Sequence, residues 1–242
     1  MRIARSFVVV SCVLAALLSG CSSDKNTAAK LPTPQPVDTT GDPAFGKAID
    51  ALAAATSFHA QTEPSQSAPI PTDIHFGQGG SSASLHATGV DVDIVSDRTN
   101  VYVKGPAAFW AANLPSTVAD APTKTALLAA KWVKIDPTQS GLASYTQFSD
   151  KAKFLAQFRA QPVHYGLGGK DTVGGESALI LNGSNGSKWW VQDGGDGRVL
   201  KTSAGSTSFA PGGAMLFTDY NVPFTPPLPT ASDVVDYKVI TG

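Results

Sequence analysis

Between Ser57 and Lys104 apolar and polar residues alternate in short runs. The alternation is clearest where Val90, Val92 and Ile94 interleave with Asp91, Asp93 and Val95. A period of two places each set on its own face of an extended chain, so 90–95 is expected to be a half-buried strand. Asp97-Arg98-Thr99-Asn100 supplies turn residues. Val101–Lys104 then returns as the partner strand, stopped by Gly105-Pro106. Ser57–Glu63, Asp73–Gly77 and Ser81–Ala87 read as shorter strands of the same kind, the first two separated by a Pro-rich turn.

Upstream the period lengthens. Asp42-Pro43 has the form of a helix start, with Asp42 as N-cap and Pro43 in the first helical position. Phe45, Ile49, Leu52 and Thr56 then share one face of a helix expected over 43–56. Ala107–Leu114 carries Phe109 and Trp110 in a short helix, and 122–130 is Ala- and Leu-rich and helical. Trp132–Ile135 is a strand ended by Asp136-Pro137. One or two helices are expected in 140–160, the later with a face of Phe154, Leu155 and Phe158, capped by Ser149 or Asp150. Strands return after Pro162 at 163–167, 176–182, 188–192, 198–203 and 213–220. Asn182-Gly183, Asn185-Gly186 and Asp196-Gly197 are hairpin-type dipeptides. Val234–Ile240 is expected as a final edge strand. A first helix, paired strands, a helical middle and a long antiparallel run predict an α+β fold, one domain over 42–242.

The chain begins differently. Arg2 and Arg5 precede an apolar stretch from Phe7 to Leu18, too short to span a bilayer, which takes roughly 20 residues. Positive residues, a short apolar core and small residues make a signal peptide. Leu17-Leu18-Ser19-Gly20-Cys21 has the form of a bacterial lipobox. Residues 1–20 are therefore expected to be removed and Cys21 to be lipidated: a thioether to diacylglycerol, with the freed amine acylated, for instance by palmitate. Several buried acyl chains make a durable anchor, since each methylene contributes ~0.8 kcal/mol. Residues 21–41, rich in Pro, Ser and Thr, read as a flexible tether. The expected location is the extracytoplasmic face of the cell membrane.

Charge and cysteine content narrow the function. Loss of Arg2 and Arg5 leaves sixteen of the eighteen basic residues against nineteen acidic ones, a net charge of −3. No basic block stands out, which argues against nucleic acid. Cys12 lies in the signal peptide, so Cys21 is the one cysteine of the mature chain and no disulfide can form. No catalytic set is apparent: Gly-x-Ser-x-Gly is absent, and Ser22-Ser23-Asp24-Lys25 lies in the tether, where no rigid site can form. His59, His75, His86 and His164 are scattered over strand segments without the local spacing of a zinc motif, so sheet-surface or core positions are expected and no metal site. Asp193-Gly194-Gly195-Asp196-Gly197 lacks the alternating acids of a calcium loop and reads as a hairpin. Asp91 and Asp93 read as a solvated face. No enzyme activity and no cofactor are expected.

The order of these pieces resembles the LppX/LprG-type lipoproteins of actinobacteria, whose fold is similar to that of the LolA and LolB carriers. The matching features are the lipobox, the Pro-rich tether and the helix ending in Ser57-Phe58-His59. They continue with the strand pair through Asn100-Val101-Tyr102-Val103-Lys104-Gly105 and with Trp110. Later come Asp171-Thr172-Val173-Gly174-Gly175, Lys188-Trp189-Trp190-Val191-Gln192 and Pro223-Phe224-Thr225-Pro226-Pro227. The resemblance implies a curved antiparallel half-barrel with helices across its concave face, enclosing an apolar cavity. It implies a carrier that binds and helps transport an acylated lipid or lipoglycan. The cavity residues expected on that basis are Leu52, Val90, Val92, Ile94, Val101, Val103, Phe154 and Phe158. The other function in view is a non-enzymatic scaffold or sensor module that binds another envelope protein.

Overall fold

The computed structural model describes residues 36–62, 71–87, 90–136, 142–203 and 213–241. The signal peptide, Cys21 and the tether up to residue 35 lie outside the described residues. Alternation in the sequence becomes a sheet of twelve strands. The first six are β1 (Phe58–Thr62), β2 (Thr72–Gly77), β3 (Gly80–Ala87), β4 (Val90–Ser96), β5 (Val101–Lys104) and β6 (Trp132–Ile135). The others are β7 (Tyr165–Val173), β8 (Glu176–Gly183), β9 (Lys188–Gln192), β10 (Val199–Ser203), β11 (Ala214–Thr218) and β12 (Val234–Asp236).

Their spatial order is β12-β6-β5-β4-β3-β2-β1-β11-β10-β9-β8-β7. The chain starts mid-sheet at β1 and steps outward to β6. It then restarts at the far edge with β7 and meanders back until β11 lies beside β1. Every neighbouring pair is antiparallel except β12 with β6. The sheet is open, with β12 and β7 as its edges.

Among the described residues six α-helices accompany it: α1 (Asp42–Ala54), α2 (Ala107–Asn113), α3 (Ala121–Ala129), α4 (Ala143–Thr146), α5 (Lys151–Arg159) and α6 (Tyr237–Thr241). Asp150 caps α5, accepting from the backbone N–H of Lys153 at 2.9 Å. The start of α1 differs from expectation. Its N-cap is Gly41, which offers no side-chain cap. Asp42 lies inside the first turn, and its carboxylate accepts from the Tyr165 N–H at 2.7 Å and faces His164 Nδ1 at 2.9 Å. An acceptor the helix start could have used serves the edge strand β7 instead. The helix also stops two residues early, so Thr56 is exposed beyond it. Its N–H donates to Asn221 Oδ1.

Two further differences have local causes. The strand expected over 163–167 runs on to Val173, with an irregular register between Leu167 and Lys170. Gly168-Gly169 sits in that interval, where a bulge is easily accommodated. The last segment divides: Val234–Asp236 pairs with β6, and the chain then coils into α6, burying Tyr237 and Ile240. Those two residues lie three apart, a helical spacing, and the Tyr237 hydroxyl donates to the Asn113 carbonyl.

One continuous apolar cluster holds the fold. Phe58 and Ala60 of β1, Ile74 and Phe76 of β2, and their equivalents across to Val133 and Ile135 of β6 supply one face of the sheet. Ile49, Leu52, Trp110, Leu128 and Phe154 supply the helices packed on it. The other face carries His59, Asp73, His75, Ser84, Asp91 and Asp93, as period two demands. Between β11 and β12 the chain passes so close to β2 that a Cβ at Gly77 would lie 2.7 Å from the Phe224 carbonyl oxygen. Only glycine fits there.

Candidate functional site

The apolar face and the helices over it are the natural place for a ligand, because they present most of the molecule's large apolar groups. The helices are short, and among α1 to α5 only α5 has a side-chain N-cap. No basic residue occupies the last turn of α1. The missing cation comes from α5: Lys151 Nζ donates to the Ala53 carbonyl at 2.8 Å and to that of Ala55. Positive charge at a helix C-terminus is favourable. Burial, and then the nearby Arg98, push the Lys151 amine below its ordinary pKa.

Aromatic rings tie α5 and α1 to the sheet. Phe154 lies 5.0 Å from Phe76 and 5.2 Å from Phe158, centroid to centroid. Phe158 lies 5.0 Å from Trp189, which in turn meets Phe45 at 4.9 Å. Phe45 stacks on Tyr165 at 4.2 Å. A chain of rings therefore runs from β2 to β7.

Leu52, Val92, Ile94, Val101, Val103 and Phe154 are fully buried members of this cluster, and Phe158 is half-buried against it. Ile94 and Val103 face each other directly across β4 and β5. Val90 opens β4, with its side chain outside the described residues. Val95 differs from its strand-mates: it shares the face of Asp93 yet is buried, opposite Tyr102. The sequence reading did not count Phe58, Phe76 and Trp189 among the cavity residues, although all three are buried rings of the cluster. The signal was available in the alternation of Phe58 with His59 and of Phe76 with His75.

The helical layer also carries an apolar recess near β6. Between α2 and α3 lies a cleft of about 460 Å³, lined by Ala107, Ala111, Leu114, Pro115, Val118 and Pro122 among others. Its size falls in the range of small-molecule sites. On the inner side of α2 the Trp110 ring is fully buried, and its indole N–H has no hydrogen-bond partner among the described residues. A buried donor left unpaired costs about 1–3 kcal/mol.

Polar groups gather elsewhere. Tyr220 donates to the Val199 carbonyl at 2.6 Å under the Arg198 guanidinium, which binds Glu176 at 2.8 Å. Burial pushes the Tyr220 phenol far above its ordinary pKa. Of the four histidines, His86 faces Asp91 and His164 faces Asp42. His59 and His75 stack on one another, 3.7 Å apart, on the polar face. Burial, and then His59, lower the His75 pKa. Among the described residues no helix is long and apolar enough to cross a membrane.

No family model matches the sequence, and no curated protein does. Solved structures do. Mycobacterium tuberculosis lipoprotein LppX is 14% identical, with a TM-score of 0.42 over 76% of this chain and 96% of its own. A conserved protein of Thermus thermophilus is 11% identical, with a TM-score of 0.41 over 81% of this chain and 98% of its own. The Pseudomonas aeruginosa MucA/MucB complex gives 15% identity and a TM-score of 0.33 over 80% of this chain, which spans 59% of the matched chain. At such low scores the likeness is one of arrangement, and nothing about ligands passes from it to this chain.

Proposed function

We propose that the protein is a lipoprotein of the cell envelope that binds an acylated lipid or lipoglycan and helps to transport it. The sheet curves as a half-barrel, its apolar face is the concave one, and the helices form a lid over it. The observation that carries this reading is the apolar cleft between α2 and α3, with the unpaired indole N–H of Trp110 on the inner side of α2. An acyl chain entering there would bury apolar surface at about 25 cal/mol per Å², and an ester or amide carbonyl could accept from Trp110 only where the chain passed on beneath α2. Leu52, Val90, Val92, Ile94, Val101, Val103, Phe154 and Phe158 would form the floor as the short helices part. Cys21 would carry the lipid anchor that keeps the domain beside the bilayer on the extracytoplasmic side. Binding needs no reaction, and none is assigned.

Native mass spectrometry of the full chain, purified from its own envelope, tests the proposal. About one non-covalent acylated lipid per chain is expected, in addition to any acyl groups on Cys21, and Ala111→Trp should displace it by filling the cleft. A chain free of non-covalent lipid would overturn the reading. The second reading is a scaffold or sensor module for another envelope protein. What favours it is the density of the ring contacts from Phe76 to Tyr165, which fill much of the space a ligand would need.

A further inference from the structure

On the polar face, β1 and β2 pair so that His59 lies directly opposite His75, and Asp73 lies two residues along the same strand as His75. All three side chains therefore project to the same side. Asp73 Oδ1 lies 3.0 Å from His59 Nε2 and 3.4 Å from His75 Nδ1, and one ligand atom from each of the three falls within 4.8 Å of the others. A tetrahedral ion with bonds of about 2.0–2.2 Å holds its ligand atoms roughly 3.3–3.6 Å apart. The two separations from Asp73 are already near those values, and the histidine nitrogens lie within 4.8 Å of each other.

The remaining nitrogen of His59 is also engaged. Its Nδ1 faces Asp219 Oδ2 and the Thr218 hydroxyl, both at 3.4 Å. A histidine ligand is commonly oriented in this way, with its second nitrogen held by a carboxylate. Asp219 reaches that position with a φ of +52°, unusual for a residue other than glycine. Exposure is graded: the His59 side chain is 12% accessible, that of His75 32% and that of Asp73 49%. The site is thus supported from beneath and open to solvent above, with Phe224 stacked at 5.0 Å from His75.

We propose that His59, His75 and Asp73 bind one divalent transition-metal ion, zinc being the natural candidate, with Asp219 as a positioning residue behind His59. Two imidazoles and one carboxylate suit zinc and its neighbours better than magnesium or calcium, which prefer all-oxygen sets. Three protein donors leave a coordination position open to water or to another ligand. The two rings now lie nearly parallel, 9° between planes. Binding therefore requires them to splay so that both lone pairs turn toward the ion. The site is on the face opposite the helices and stands whether or not a lipid occupies the other side.

Titration of the full chain in detergent with Co²⁺, followed by its visible d–d absorption and by Zn²⁺ competition, tests the proposal. One equivalent is expected. His59→Ala and His75→Ala should each weaken binding at least 100-fold, and Asp219→Asn about 10- to 100-fold. His86→Ala and His164→Ala should leave it unchanged. His75→Cys should retain the ion and add a thiolate charge-transfer band, which no purely structural role produces. Should the alanine variants fail to fold, substoichiometric Co²⁺ added to the wild-type chain still decides: the His59 and His75 imidazole resonances should shift or broaden first. Absence of saturable binding, or earlier perturbation of His86 or His164, would overturn the assignment.

Discussion

The two faces of this sheet are written by the same strands and have opposite characters. In β2, Ile74 and Phe76 are fully buried in the apolar cluster, whereas Asp73 and His75, which alternate with them, stand on the accessible side. Side chains on the helix-covered face touch many neighbours, and any one is hard to change alone. Those on the other face pair locally, through a carboxylate here and a ring there, and can be altered with little effect on the core. Stability is thus concentrated on one side, and chemistry can vary on the other. The proposed lipid and metal sites exploit that division.

The sharpest way to break the comparison is at Phe154, where α5 meets Phe76 and Phe58 with no accessible surface. Phe154→Ala should cost about 3–5 kcal/mol, the loss of an aromatic side chain plus the cavity left behind. Urea unfolding of the full chain reads this directly. At urea concentrations where the variant remains folded, its affinity for Co²⁺ should match the wild-type value. Loss of both together would show that the faces are coupled and not independent.

A smaller effect is expected at Lys151, which joins two elements of the helical layer without belonging to the apolar cluster. Lys151→Met keeps most of the aliphatic stem but removes the donor to the Ala53 and Ala55 carbonyls. The expected loss is about 1–2 kcal/mol. It should be accompanied by faster amide hydrogen exchange in the last turn of α1, while β1 and β2 keep their protection. If α1 exchanged no faster, its C-terminus would be held by packing alone.

These two positions also mark how far the sequence could be read. Phe154 was legible because the apolar spacing in 151–159 is local, and the strand face of Val92 and Ile94 was legible for the same reason. Lys151 was not, because its partners lie 98 and 96 residues away. The pairing of His59 with His75 was hidden in another way. Each read as a separate sheet-surface or core histidine without a metal-motif spacing, and only the β1–β2 register brings them face to face. Asp42 was misread because a carboxylate beside Pro43 fits an N-cap, and nothing nearby announces Tyr165 as the competing donor. Local periodicity reveals which face a residue occupies; it does not reveal what arrives opposite it.

Asp42 offers the smallest and most specific test, since it ties the start of α1 to the edge strand β7 on neither of the two faces. The hydrogen bond with His164, and then the Tyr165 N–H, hold its carboxyl below the ordinary range. A carboxylate whose pKa is lower in the folded chain contributes stability above its unfolded value of about 3.9, and that contribution disappears as pH falls through the folded value. Asp42→Asn should therefore lower the urea midpoint slightly near neutrality, and the gap from wild type should close under acid conditions. The neutral amide can still accept from Tyr165 but cannot supply the charge that faces His164. A gap of constant size across the acid range would mean that the carboxylate charge plays no part and that the geometry of the Tyr165 contact is what matters.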